Sequence, residues 1–170
     1  ERIVLSQMWN ECHQIASGEI FFHCGDDIII RTDDWDKTVR DTFEIYHDKI
    51  VFVYGDDMNP GIPEDFGTHG FIHKNWTDTV GYFVPPYFSS DWNDTWLNDV
   101  AKALGRHHRI AIQTEHMHPG PGKATYDITH QERLARGSRD NVEYLYRSTI
   151  DQRQEDVYKL RDFIEGYDED

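Results

Sequence analysis

The chain is poor in cysteine, in basic residues and in long apolar runs, and each shortage excludes a class of protein. Its two cysteines, Cys12 and Cys24, provide neither a disulfide framework nor a zinc-knuckle spacing, which favours a reducing compartment. No stretch approaches the roughly 18 apolar residues of a membrane span. No basic segment followed by an apolar stretch marks a secretory signal. We therefore expect a cytoplasmic protein without a transmembrane segment.

The scarcity of basic residues also limits the partners that the chain can bind. Lysine and arginine number 17 against 32 aspartates and glutamates, which gives a formal net charge of −15. A large nucleic-acid footprint is excluded, because binding to phosphate backbones depends on Lys and Arg. A small polyanionic ligand stays compatible with this charge when a divalent cation bridges carboxylates and phosphates. The charge thus points towards metal-assisted chemistry.

Hydrophobic periodicity predicts an α/β fold in a chain of 170 residues, which is long enough to bury one sizeable core. Apolar residues at helical spacing alternate with short β-type runs throughout. The apolar stripe of the last segment could pack on the same chain's sheet or on a second subunit, so a homo-oligomer stays open. We predict helices over residues 2–17, 34–48, 92–104 and 139–165 (one long helix or two shorter ones), and strands over 19–23, 28–30, 50–55, 70–74 and 109–114. Gly18 and Gly105 should end the first and third of these helices, and Gly81 should close a helical turn in "NWTDTVGYF". The continuous apolar run at 50–55 predicts a strand that is buried on both faces.

An adjacent pair of aspartates, Asp26 and Asp27, lies between two short apolar runs in "IFFHCGDDIII". Two carboxylates at the end of a strand lie where open α/β sheets place their ligands. Their oxygen atoms suit Mg²⁺ or Mn²⁺, which take the rest of their coordination from water and substrate phosphates. The alternative interpretation is an ordinary acidic turn, since aspartate is common in turns.

Two histidines and a lysine follow a later predicted strand in "EHMHPGPGK". His116 or His118 could reach the same edge of the sheet as Asp27 and bind a transition metal. Lys123 could neutralise a phosphate as a point charge. The alternative is that each histidine is a surface or structural residue, as expected for most of the ten in the chain.

The segment "SSDWNDTWLNDVAKALGR" places two carboxylates at the start of a predicted helix. Asp91 and Asp94 could simply stabilise the helix dipole, or one of them could remove a proton from an acceptor hydroxyl. Trp92 and Trp96 could offer flat faces to a sugar or a base, although a tryptophan at helical spacing often belongs to the core.

Common nucleotide-binding and nucleophilic motifs are missing from the sequence. "PGPGKA" has neither the spacing nor the hydroxyl of a phosphate-binding P-loop, and no G-x-G-x-x-G follows a strand. No Ser-His-Asp or Cys-His set occurs in a recognisable context. Nucleotide binding, if it occurs, must therefore use another fold.

The order of these motifs resembles the GT-A class of nucleotide-sugar glycosyltransferases of the family 2 type. In that class an "N…A.G" pattern, matched by Asn10, Ala16 and Gly18, precedes the strand that carries the acidic DXD motif. Asp27 corresponds to the last acidic residue of the motif and Asp26 to its variable middle residue. The sequence departs from the pattern at Gly25, which replaces the first acidic residue.

The resemblance covers roughly residues 5–125 and implies a role for each matched residue. Asp94, in a segment similar to the family's "ED..L" pattern, is implied as the general base, with Asp91 as the second choice. Asp27 and His118 are implied as metal ligands, with Asp26 and His116 as second choices. Asn10, Asp26 and Lys123 are then expected on the side of the nucleotide diphosphate. Tyr87, Trp92 and Trp96 are expected on the acceptor side.

The implied fold is a GT-A-like mixed sheet flanked by helices over residues 1–138, followed by a helical extension over 139–170 that packs on it. The class normally begins with a β-α-β segment that holds the base, so we expect this domain to be incomplete at its N-terminus. The implied activity is inverting transfer of a sugar from a nucleotide-diphosphate donor to a carbohydrate or other hydroxyl acceptor, with Mn²⁺ or Mg²⁺. Two alternatives stay open, a reduced GT-A-like module that only binds, and a sugar-phosphate nucleotidyltransferase.

Overall fold

A computed structural model describes residues 4–167 and has a mixed α/β fold, as the periodicity predicted. Within that range, five strands form one mixed sheet and seven helices surround it. The strands are β1 (Ile20–His23), β2 (Ile28–Ile30), β3 (Phe52–Asp56), β4 (Gly70–His73) and β5 (His107–His116). The helices are α1 (Leu5–Ile15), α2 (Trp35–Ile45), α3 (Lys74–Val80), α4 (Asn93–Leu104), α5 (Ile128–Asp140), α6 (Val142–Ser148) and α7 (Ile150–Tyr167).

The strand order, β1-β4-β3-β5-β2, brings distant parts of the chain to one edge of the sheet. Strand β4 is antiparallel to both β1 and β3, and β3 is parallel to β5. Strands β1, β3 and β5 therefore run in the same direction, while β2, which is antiparallel to β5, runs against them with β4. As a result, the C-terminal ends of β1, β3 and β5 lie beside the N-terminal ends of β2 and β4.

The central strand β3 is buried on both faces, as its continuous apolar run predicted. Its side chains alternate between two cores: Phe52 and Tyr54 pack on one face, and Val53 packs on the other together with Val51, the residue before the strand. Gly55 permits the close approach of β5, because a Cβ atom at this position would lie 2.5 Å from the carbonyl oxygen of Ile112. The parallel register between β3 and β5 shifts at this point.

Of the three glycines that were predicted to end a helix, two do so. Gly81 and Gly105 adopt positive φ angles of 93° and 68° and end α3 and α4. Gly18 does not end the first helix, because α1 stops at Ile15 with an extended Ala16 as its C-cap. The predicted start of this helix at residue 2 lies outside the described residues.

The C-terminal part contains one helix that the sequence did not reveal. Helix α5 precedes the predicted helical segment, which forms the two helices α6 and α7 rather than one long helix. Helix α7 packs against α3 and α4, and its fully buried Leu160 joins the larger core. Among residues 4–167, no helix combines the length and the apolar character needed to cross a bilayer.

Candidate functional site

A cavity of about 580 Å³ opens at the edge where β1, β3 and β5 end. The sheet topology supplies four of its lining residues from the ends of different strands. His23 ends β1, Asp27 precedes β2, His69 precedes β4 and His116 ends β5. Five of the ten histidines of the chain line this cavity. Besides the three at strand ends, these are His118, which follows β5, and His130, which lies in α5. Such a concentration of ligating side chains at strand ends is typical of a binding site in an α/β protein.

The acidic turn contributes the side chains of both Asp26 and Asp27 to the cavity wall. The Asp27 carboxylate accepts a hydrogen bond from His116 Nε2 at 3.1 Å, and its carbonyl accepts one from the Met117 amide at 2.7 Å. Gly25 leaves room for this carboxylate, because a Cβ atom there would lie 2.5 Å from Asp27 Oδ1. The residue that departs from the DXD pattern thus lies directly against the expected metal ligand.

His116 is hydrogen-bonded to Asp27, and the His118 ring packs next to the His116 ring. The ring centres of the two histidines are 5.0 Å apart, and His118 Nδ1 accepts a hydrogen bond from the Gly120 amide at 3.0 Å. Burial, and then the neighbouring His116, lower the pKa of His118, which favours its neutral form. The structure therefore places the second-choice histidine, His116, in contact with Asp27.

The chemistry of this donor set fits a divalent metal, and one pair also has suitable spacing. Two ligand atoms that lie about 2.1 Å from one ion at a right angle are about 3.0 Å apart. The Oδ2 atom of Asp27 and the Nε2 atom of His116 are 3.1 Å apart. Across residues 4–167, no group of three or more His, Cys, Asp or Glu side chains already stands in a metal-binding arrangement. Ligation by a third residue would therefore require a side chain to rotate.

Asp94 and Asp91 both line the cavity, but they have different environments. Burial raises the pKa of Asp94 to about 6, and the charge of Asp91 acts in the same direction against the hydrogen bonds from Thr95. The Thr95 amide donates to Asp94 Oδ1 at 2.8 Å, which fixes the carboxylate in the first turn of α4. Asp91 instead forms an ion pair of 3.2 Å with Arg133. Asp94 is therefore the carboxyl group better suited to exchange a proton near neutral pH.

Helix α5 brings a histidine and two arginines to the same cavity, which the sequence did not predict. Its residues His130, Arg133 and Arg136 all line the wall. The Nε atoms of both arginines are buried and have no hydrogen-bond partner among the described residues. A signal for this helix was present in the sequence: Asp127 caps it by accepting from the His130 amide at 3.1 Å, and good helix formers follow.

Several residues with predicted roles lie outside the cavity or in the core. Lys123 forms a 2.9 Å ion pair with Glu115 and does not line the cavity. Trp96 is only 1% exposed and belongs to the core, where its ring packs against Tyr87. Trp92 alone of these aromatic residues lines the cavity, with its indole stacked on Tyr146 at 4.5 Å. Of the three aromatic residues predicted for an acceptor side, Trp92 is therefore the one that lines the cavity.

The side chain of Asn10 has a structural role, because it forms hydrogen bonds with the loop that follows α3. Its Oδ1 atom accepts from the amides of Phe83 and Val84 at 2.9 and 3.1 Å, and its Nδ2 atom donates to the Val84 carbonyl at 2.8 Å. These bonds attach the loop after α3 to helix α1. Asn10, which was predicted on the side of a nucleotide diphosphate, does not line the cavity.

We expect the Asn10→Ala variant to lose about 2–3 kcal/mol of unfolding free energy, because two loop amides and one carbonyl lose their partner. Urea denaturation followed by circular dichroism measures this loss. Gln14→Ala, an exposed change on the same helix, is the control and should shift the free energy by less than about 0.5 kcal/mol. Unchanged stability together with lost nucleotide binding would instead support the role in nucleotide binding.

Comparisons of the chain with protein-family models, with curated proteins and with solved structures found no match.

Proposed function

We propose that this protein is a metal-dependent glycosyltransferase of the GT-A type that transfers a sugar from a nucleotide-diphosphate donor to a hydroxyl acceptor. One observation carries the proposal: a single cavity at the strand ends combines the Asp27–His116 pair, the Asp94 carboxyl with its raised pKa, and the guanidinium groups of Arg133 and Arg136. The Asp27–His116 pair suits a metal ion, and the two guanidinium groups suit donor phosphates. The Asp94 carboxyl suits the proton of an acceptor hydroxyl.

The donor would bind between the acidic and the basic walls of the cavity. Asp27 and His116 would hold Mn²⁺ or Mg²⁺, and a bound ion would neutralise the charge that develops on the leaving diphosphate. Arg133 and Arg136 line the cavity and would donate to phosphate oxygens through their guanidinium groups. Both Lys123 and Arg133 already pair with a carboxylate, Glu115 and Asp91 respectively, but only the two arginines line the cavity, so they would take the role first predicted for Lys123.

Asp94 would act on the acceptor. Its carboxylate accepts the hydroxyl proton while the acceptor oxygen bonds to the anomeric carbon, and the bond from that carbon to the diphosphate oxygen breaks. A single displacement of this kind inverts the configuration of the anomeric carbon. The indole of Trp92 lies on the same wall and offers a flat apolar face to the acceptor.

A second candidate is a binding module with the same ligands but no transfer activity. It is favoured by the lack of a ready three-ligand metal group among the described residues. Both candidates require donor binding, and only the enzyme cleaves the donor.

Thermal unfolding with Mn²⁺ and a panel of nucleotide sugars tests the proposal. We expect one donor at about 100 times its dissociation constant to add about 2.7 kcal/mol of stability, or roughly 5–10 °C in Tm. The Asp27→Asn variant should lose this shift. The Asp33→Asn variant, an exposed change in a nearby loop, should keep it. No shift with any donor would contradict both candidates, and a shift without donor cleavage would leave the binding module.

A further inference from the structure

His69 is a buried histidine of the cavity for which the protein supplies no partner. It directly precedes β4 and is only 6% exposed. Neither of its ring nitrogens has a hydrogen-bond partner among residues 4–167. Leaving a buried polar group unpaired destabilises the folded protein. Because the ring lines the cavity, a ligand held there can satisfy it.

The position of His69 relative to His116 fits two imidazoles that share one ion. The ring centres are 4.7 Å apart and the ring planes meet at 77°. An imidazole nitrogen lies about 2.1 Å from a bound metal, so the ring centre lies about 3.2 Å from it. At ligand angles between about 90° and 110°, two such ring centres are about 4.5–5.2 Å apart. The observed separation lies within this range, so a rotation of the His69 ring, without movement of the backbone, would complete a three-ligand group.

The same ion would also lie beside Asp27. Its Oδ2 atom is 3.1 Å from His116 Nε2, the spacing of two neighbouring ligands on one ion. A further carboxylate lies close in the structure: Asp57 is buried beside the end of β3 and accepts a 2.7 Å hydrogen bond from Thr68, the residue before His69.

We infer that His69 is a metal ligand that joins Asp27 and His116 in a two-histidine, one-carboxylate site. This inference rests on the proposed function, which requires a metal at Asp27 and His116, and it adds a ligand and a metal preference. Two imidazoles favour a transition metal such as Mn²⁺ or Co²⁺ over Mg²⁺, which prefers oxygen ligands and keeps its waters. The site should therefore bind Mn²⁺ at least about tenfold more tightly than Mg²⁺.

Pulsed electron paramagnetic resonance of Mn²⁺ bound to the wild-type protein tests the inference directly. The ¹⁴N couplings should report at least two coordinated imidazole nitrogens. His69→Gln should remove one of them and weaken Mn²⁺ binding about 10–100-fold in isothermal titration. A single coordinated nitrogen in the wild-type protein would overturn the inference without any variant.

His73→Gln is the control, because His73 is also buried and lies at the opposite end of the same strand, β4, away from the cavity. Its Nδ1 atom accepts a 3.1 Å hydrogen bond from the Asn75 amide at the start of α3. This variant should bind Mn²⁺ within about threefold of the wild-type affinity, which is less than the loss of a ligand. Equal weakening in both variants, or no weakening in His69→Gln, would overturn the inference.

The outcomes separate this inference from the proposed function. If the wild-type protein binds Mn²⁺ through Asp27 and His69→Gln binds it equally well, His69 is not a ligand and the proposed function stands. If the wild-type protein binds no Mn²⁺, both the metal-dependent function and the third ligand are rejected.

Discussion

Replacing Asp94 with asparagine should lower the rate of sugar transfer by about 10²–10⁴-fold, the usual contribution of a general base. Asparagine has nearly the same shape and its carbonyl oxygen can still accept the 2.8 Å hydrogen bond from the Thr95 amide. It cannot take the proton of the acceptor hydroxyl. Donor affinity should stay within a few-fold of the wild-type value, because Asp94 faces the acceptor in the proposed arrangement.

The pH dependence of transfer gives the same prediction an independent readout. Burial raises the pKa of Asp94 to about 6, so the active, ionised form should appear as the pH rises through that value. The wild-type rate should therefore increase between about pH 5 and 7. The residual rate of Asp94→Asn should lack this step. Single-turnover transfer, measured across this range at saturating donor, distinguishes the two profiles.

Asp94 should also make stability depend on pH. Its pKa is raised from 3.8 in the unfolded chain to about 6 in the folded protein, so ionisation disfavours folding. Its contribution to stability is fully present below about pH 4 and is lost as the pH rises through about 6. Asp94→Asn should therefore exceed the wild-type stability by about 3 kcal/mol at pH 7.5. The two proteins should be about equally stable near pH 4.

Asp91→Asn is the control for the base assignment, since Asp91 lines the same cavity but pairs with Arg133 at 3.2 Å. Loss of this pair should affect donor binding more than the pH step of the rate. A pH step that disappears in Asp91→Asn and persists in Asp94→Asn would reverse the two roles.

Most of the secondary structure could be predicted from the sequence, because most segments carry one clear local pattern, such as an apolar run or a terminating glycine. The apolar run that forms β3 and the glycines that end α3 and α4 are local features, and they act as predicted. Helix α5 was missed because none of its residues is buried, so no apolar stripe marks it. Its only clear signal was the capping residue Asp127.

The residues of the candidate site could be predicted only in part from the sequence, because the strand order decides which of them come together. Asp27, Asp94 and His116 were found through their place after a strand or at a helix start. His69 was missed, since it reaches the cavity only because β4 inserts between β1 and β3. Nothing in the local sequence around His69 specifies that order.

Two predicted site residues, Asn10 and Trp96, lie outside the cavity because their polar atoms form hydrogen bonds within the protein. The amide of Asn10 is used by the loop after α3, and the indole of Trp96 by the core. Sequence spacing places a residue on a helix, but it does not reveal what its polar atoms bond to. Trp96 donates to Asp156, which lies in the C-terminal segment 60 residues away.

Asp156→Ala should lower the free energy of unfolding by about 2–4 kcal/mol, because it leaves two buried donors without an acceptor. Asp156 is only 4% exposed and accepts hydrogen bonds from Trp96 Nε1 at 2.9 Å and from the Tyr82 hydroxyl. Burial raises the pKa of this carboxyl against the effect of the two hydrogen bonds, and removing the charge recovers part of its desolvation cost. The unsatisfied indole and hydroxyl should still dominate.

Urea denaturation of Asp156→Ala and of Asp162→Ala separates this effect from a general loss of negative charge. Asp162 lies on the same helix, α7, and is exposed, so its replacement should change stability by less than about 0.5 kcal/mol. Asp156→Asn keeps one acceptor oxygen and should fall between the two. Equal stability of all three variants would mean that α7 contributes little to the core. A large loss confined to Asp156 would instead show that the C-terminal helix secures Trp96, which lies two residues from Asp94 in α4, and hence helix α4 beside the cavity.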